Sequence, residues 1–331
     1  MLSVILAFSI DLSHITQQRA LLMLGISIAL LCAVTWALSL IMLKKAGQSI
    51  HPLVMNFGKN ALGFILLVPT ALVIDGPPPL QLSSDNLMRI GLSGFFGVGL
   101  ADAFMLAAMR HLSATSVAIL ECLFAPFILI LSMLFLEEAL ITQHLWGGVL
   151  IMASLFIVLP EAEGAAEGSQ GLDQTSSLSS EQKPFRANIW LGSAMMSLGL
   201  LITAGGILLV KPSFTTVPLF WLIAYRMGIG TISSSLALYY CPKPLQQLKT
   251  LWSCEQKGIV YGSFVMSSYI ALSLWVAGYK YLQAPIAAIL NQTSTIFTVL
   301  FAVVLLRESL TFKKVASALL ASIGVLLISM H

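Results

Sequence analysis

Charge is scarce in this chain. Only 9% of its 331 residues are charged, where an ordinary soluble domain carries roughly a quarter. A soluble fold of this size could bury a large core, but it could not clothe its surface with so few charges. Lipid must therefore face much of that surface. The formal net charge of +3 is too small and too dispersed to suggest a nucleic-acid partner, and none is expected. Cysteine is scarce too. Cys32, Cys122, Cys241 and Cys254 fit no zinc or redox spacing. Cys241 and Cys254 flank one loop and could pair only on an oxidising side, so unpaired thiols are the simpler expectation. Catalytic signatures are missing altogether: there is no H-E-x-x-H, no G-x-S-x-G and no Walker A. ATP is then not the direct energy source. An Arg-rich voltage sensor and a TVGYG-like filter are also absent. His14, His51, His111, His144 and His331 all fall at or near loops or ends, so neither a metal nor any other cofactor is expected.

Apolar sequence is what the chain has in quantity, at 58% of its residues. A membrane-crossing helix needs about 20 apolar residues. Runs of that length occur near 20–43, 53–74, 87–109, 113–136 and 143–160, then near 188–210, 217–240, 258–279, 284–306 and 312–330. They are too long for barrel strands, which are roughly 10 residues of alternating pattern. The expected fold class is an all-α integral membrane protein of ten transmembrane helices. Residues 1–19 form an N-terminal tail whose apolar start is too short to span and lacks the positive region of a cleaved signal peptide. The segment 161–187 is acidic, rich in Ser and Gly and nearly free of bulky apolar residues, so it is expected to be a flexible linker.

The five-run blocks on either side of that linker, 20–160 and 188–331, repeat one another. A shift of 170 positions lays LSATSVAILE from Leu112 on LQAPIAAILN from Leu282, and brings Glu138 onto Glu308. A shift of 167 puts Lys44 on Lys211, Lys59 on Arg226 and Gly63 on Gly230. Matches of Leu and Ala mean little in so apolar a chain; matches of charged residues mean more. Because five is odd, the second block must enter the bilayer from the opposite side. The expectation is thus two inverted five-helix repeats, a layout common among secondary transporters, whose site lies between the repeats near the midplane.

Residues 114–138 show small residues, an Ile/Leu run, Pro126 and then Leu-Glu-Glu, and the stretch 97–127 reads GVGLADAFMLAAMRHLSATSVAILECLFAPF. In these features the chain resembles the drug/metabolite transporter superfamily, ten-span EamA type, over about residues 20–330. The repeat at 284–308 keeps Leu-Arg-Glu but has Ile296 where that proline would stand. The resemblance implies a permease and not an enzyme: a secondary transporter that moves a small metabolite, in the exporting direction, by alternating access in the cell membrane. A multidrug or nucleotide-sugar-type permease of the same fold is the alternative. A membrane enzyme would need a nucleophile or metal set at one depth, and a sensor or structural subunit would not need buried charge.

Four charges fall inside runs, where each costs roughly 2.5–3.5 kcal/mol on insertion scales: Lys59, Asp102, Glu121 and Arg226. Counting residues from the run ends at about 1.5 Å each places Lys59, Asp102 and Glu121 in one layer roughly 11–12 Å deep. A Lys59–Asp102 or Lys59–Glu121 pair is open on that count. Arg226 falls near the midplane. Asn291 and Gln292 hold the repeat positions of Glu121 and its neighbour, and Leu272 that of Asp102. The expected function of this layer is a polar cavity. Lys59 and Arg226 would meet an anionic group, while Asp102 and Glu121 would meet an amine or carry a coupling proton. The bland alternative is that the charges pair and lock helices, and that Asn291 and Gln292 are helix–helix glue. Trp36 could line the cavity, and Pro126 could kink its helix as a hinge. Glu138 and Glu308 end runs at loop edges and read as structural. The partners expected are a small solute, with proton coupling as an option, and the bilayer. A monomer suffices and a dimer stays open.

Lysines and arginines near run ends number eleven on the face that holds Lys44 and four on the face that holds Lys211. The positive-inside rule puts the Lys44 face in the cytoplasm and both termini outside. The family resemblance implies termini inside, so the two indications disagree.

Overall fold

In the computed structural model, residues 2–79, 81–136, 146–157, 188–281, 284–309 and 311–329 are described, with side chains left aside at 2–22, 132, 136, 278–289, 292, 328 and 329. The segment 161–187, Glu138 and the side chain of Gln292 lie outside the described residues.

All regular structure among the described residues is helical. α1 (Leu2–Ala46) continues without a break through the residues ahead of the first apolar run. α2 (Pro52–Ile74) begins with proline, where no helical N–H is needed, and Nδ1 of His51 accepts its first free amide, from Leu53, at 3.3 Å. α3 (Ser84–Leu92) runs into a π-helical stretch, Ser93–Leu100, and on into α4 (Ala101–Ala108). α5 (Ala114–Glu121) and α6 (Phe124–Leu136) share one apolar run, and α7 (Trp146–Ile157) closes the first block. The second block holds α8 (Ile189–Val210), α9 (Leu219–Tyr239), the short α10 (Pro244–Ser253) and α11 (Lys257–Val265). A second π stretch, Met266–Ala271, leads into α12 (Leu272–Tyr281), followed by α13 (Ala284–Leu306) and α14 (Phe312–Ser329). Among the described residues, six helical stretches are long and apolar enough to cross a membrane: Met23–Ala46, Pro52–Ile74, Ser84–Ala108, Ala114–Phe135, Ile189–Thr215 and Lys257–Ala277. Shorter apolar helices stand at Trp146–Ile157 and Thr293–Leu306.

The helix pairings cross between blocks. α2 lies along α9. α1 packs on α13 and on the α11–α12 segment, while α8 packs on α6 and on the α3–α4 segment. Each partnership therefore has its repeat-related counterpart. The π stretches also recur, ending immediately before Ala101–Asp102 in one block and before Leu272 in the other. A π turn breaks the regular hydrogen-bond ladder and needs outside partners for the carbonyls it displaces. In the first block these come from neighbours: Nδ2 of Asn56 donates to the Gly99 carbonyl at 2.6 Å, Nδ2 of Asn60 to Val98 at 3.3 Å, and Oγ of Ser233 to Phe95 at 3.3 Å. Close approach of α9 to this stretch depends on glycine. A Cβ on Gly94 would stand 2.8 Å from the Arg226 carbonyl oxygen, and one on Gly99 would stand 2.2 Å from Oγ of Ser233. Gly205, by contrast, has open space beside it.

The helix ends are tied across the blocks by carboxylates. Asp75, at the end of α2, accepts the amides of Phe220 at 2.8 Å and Trp221 at 3.4 Å, at the start of α9. Glu308, beyond α13, accepts the amide of Ala114 at 2.7 Å and both the amide and hydroxyl of Thr115, at 3.4 and 2.9 Å. Both carboxylates sit at helix N-termini, where unpaired N–H groups and the dipole favour negative charge.

Candidate functional site

α2 shows how the sequence builds the polar interior. Its buried residues include Asn56, Lys59, Asn60, Gly63 and Leu67, spaced three, four and seven apart on one face. Its exposed residues include Phe64, Ile65, Leu72, Val73 and Ile74. This is polar inside and apolar outside, as a lipid-facing helix requires.

Three of the four charges meet on that inner face. Nζ of Lys59 donates to Oδ2 of Asp102, the first turn of α4, at 2.5 Å. Arg226, on the facing side of α9, lies within electrostatic reach of the same carboxylate. Lys59 is 8% exposed and Arg226 7%, so neither snorkels to water. Nε of Arg226 is buried and has no hydrogen-bond partner among the described residues. Of the two pairs the residue count allowed, Lys59–Asp102 forms.

Glu121 sits elsewhere. It is the last residue of α5, half-buried, and the Trp36 side chain from α1 lies beside its carboxyl. No ion pair reaches it among the described residues. The helix stops there. Cys122 and Leu123 bond back to Ile119 and Leu120 at 3.2 and 2.9 Å in a tight turn, and α6 starts at Phe124. Pro126 was expected to kink one helix; instead it occupies the first turn of a new one, where its missing N–H costs nothing. The negative end of the α5 dipole and a carboxyl thus share one point inside an apolar run. Asn291, the repeat counterpart on α13, buries both its amide nitrogen and oxygen with no hydrogen-bond partner among the described residues. Nearby, Sγ of Cys122 and Oγ1 of Thr295 approach to 3.7 Å and join α5 to α13.

Sequence reasoning passed over Asn56, Asn60 and Ser234, which interlink at 3.1 to 3.2 Å beside the charged cluster. The signal was available: two asparagines one turn apart from each other, flanking Lys59, in a run that otherwise reads as lipid-facing. It also passed over Lys44, whose Nζ donates to the carbonyls of Met109 and Leu112 between α4 and α5.

A helical bundle with lipid-facing apolar surfaces and a buried charged layer where the two blocks meet defines a multi-pass membrane protein of transporter type. The chain belongs to the EamA-like transporter family, whose profile matches it twice, at residues 23–159 and 190–330. This places it in the drug/metabolite transporter superfamily and accounts for the duplication. Among solved structures, one described as "Crystal structure of protein" is similar with a TM-score of 0.55 and 14% identity, over 92% of this chain and 94% of that one. At that identity the likeness concerns the fold alone. No curated protein matches the chain.

Proposed function

We propose that the chain is a secondary transporter in the cell membrane that moves a small polar metabolite by alternating access. Its ten membrane helices form two inverted five-helix repeats, joined through 161–187, that rock about the charged layer. The duplicated family match and the crossed, repeat-related helix pairings support this arrangement. The observation that carries the reading is the Lys59–Asp102–Arg226 cluster, buried where α2 and α4 of one repeat meet α9 of the other. So much charge in the membrane interior is costly, and charges kept there characteristically mark a solute or ion path. Trp36, Glu121 and Asn291 form a second polar point, suited to an amine or a coupling proton. Amino-acid-like solutes fit a path with both signs of charge, and export is the direction proposed. One chain holds a complete inverted pair, so a monomer suffices.

The test is reconstitution of the purified protein in liposomes and a flux screen against metabolite pools, with and without a proton gradient. Asp102→Asn and Glu121→Gln should each abolish flux while the protein remains inserted and folded. Normal flux in both variants would place the solute path elsewhere.

A further inference from the structure

We infer that the solute is anchored by a singly charged oxyanion, a carboxylate, docking on the Arg226 guanidinium. This rests on the buried layer being the solute site, and it narrows what that site accepts.

The sequence leaves both signs open, since two cations and two carboxylates occupy the apolar runs. The structure separates them. Asp102 is taken by Lys59 at 2.5 Å, whereas Glu121 ends α5 beside Trp36 of α1 and joins no ion pair among the described residues. Around Arg226 there remain two cations and one carboxylate, a surplus of one positive charge. An incoming amine would have to displace Lys59 from Asp102 beside a second cation. An incoming carboxylate neutralises the surplus and leaves the ion pair intact. A dianion would overshoot it. Donor geometry agrees with the charge. Arg226 is 7% exposed, and its Nε is buried without a hydrogen-bond partner among the described residues. A guanidinium presents its N–H groups as a planar fork that matches a carboxylate, and a buried donor left idle is unfavourable until an acceptor arrives.

Gly97 faces the fork: an added Cβ there would lie 3.7 Å from Nη2 of Arg226 and 3.8 Å from Cα of Gly206, ordinary contact distances. Backbone of two glycines, and no bulky side chain of either, stands at that point beside the guanidinium.

The experiment uses the full purified chain in nanodiscs and reads its thermal unfolding midpoint as sodium acetate, sodium lactate, inorganic phosphate or tetramethylammonium chloride is titrated, with ionic strength held constant. A ligand that binds only the folded state raises the midpoint in proportion to its occupancy. Acetate or lactate should raise it, tetramethylammonium should not, and phosphate should act more weakly than the carboxylates. Arg226→Lys keeps the charge but loses the fork, and should weaken the apparent affinity about tenfold. Gly97→Ala fits the existing space and should fold normally while weakening the same response. The inference is overturned if neither carboxylate shifts the midpoint, if phosphate acts more strongly, if the cation stabilises, or if both variants respond as the parent does. Flux of a cationic solute in liposomes, with no carboxylate response, would sink this assignment and leave the transporter reading standing. Absence of all flux with a clear carboxylate response would do the reverse.

Discussion

The two repeats share a backbone and differ in chemistry. Both carry a π stretch ahead of the same position, and both send their first helix across to the third and fourth elements of the other. At matched positions the side chains diverge. Asp102 answers to Leu272 and Glu121 to Asn291. Lys44 is half-buried and donates to two carbonyls, whereas its counterpart Lys211 is exposed. The pair Lys59 and Arg226 keeps both its sign and its burial, and the two members lie in one cluster. Duplication thus supplies a common scaffold, while the carboxylates Asp102 and Glu121 are held once.

The comparison breaks hardest at Asp102. Asp102→Leu gives the first repeat the residue type of the second and strands Lys59 and Arg226 without their carboxylate. Removing one partner of a buried pair typically costs about 3–5 kcal/mol. A large fall in the unfolding midpoint is expected, and Lys59→Met added to Asp102→Leu should restore part of it. Leu272→Met, a volume-conserving change at the matched position, should cost less than about 1.5 kcal/mol. Equal losses at 102 and 272 would mean that the two repeats are not divided as described.

Next in size is the lysine pair. Lys44→Met leaves the Met109 and Leu112 carbonyls without their donor, a loss of about 1–3 kcal/mol for buried acceptors. Lys211→Met should stay within about 0.5 kcal/mol, as exposed substitutions usually do. Denaturant unfolding of the two variants side by side decides the matter; a cost at Lys211 equal to that at Lys44 would show that both ends are held alike.

Much of this was legible in the sequence because it rests on length and period. Runs of about 20 apolar residues have one solution in lipid, and the bounds expected for α2, α8 and α13 agree with the structure to within a residue or so. Lys59 and Asp102 could be matched because depth along a helix follows from counting. Counting does not give rotation about the helix axis. It therefore left Lys59–Glu121 as good a pair as Lys59–Asp102, and only packing of α2 against α4 decided between them. The π stretches carry no period of their own, and their displaced carbonyls explain Asn56 and Asn60 only once their position is known. Glu308 could be seen to end a run, but not that its carboxylate caps α5 in the other repeat, because such a contact depends on tertiary geometry.

The smallest effect should be a pH dependence confined to the first repeat. His111 lies between α4 and α5, and its Nδ1 accepts the Asn188 amide at 3.1 Å, tying that loop to the start of α8. Burial, then Arg110, then Lys44 hold its pKa below the ordinary 6.5. His51, lowered by burial and then by Arg110, likewise accepts the Leu53 amide at the start of α2. Protonation of either Nδ1 turns an acceptor into a donor and breaks its bond. Since the folded pKa values are depressed, the unfolded chain binds protons first. The stabilising contribution is complete above about pH 6.5 and declines as pH falls below it. The matched residues of the second repeat are Tyr281 and Pro218, so neither histidine recurs there. Unfolding measured from pH 7.5 down to 5.5 should show a modest loss that His111→Asn and His51→Asn together reduce, because an asparagine oxygen accepts at any pH. An unchanged slope in the double variant would shift the pH response to other groups and remove this last difference between the repeats.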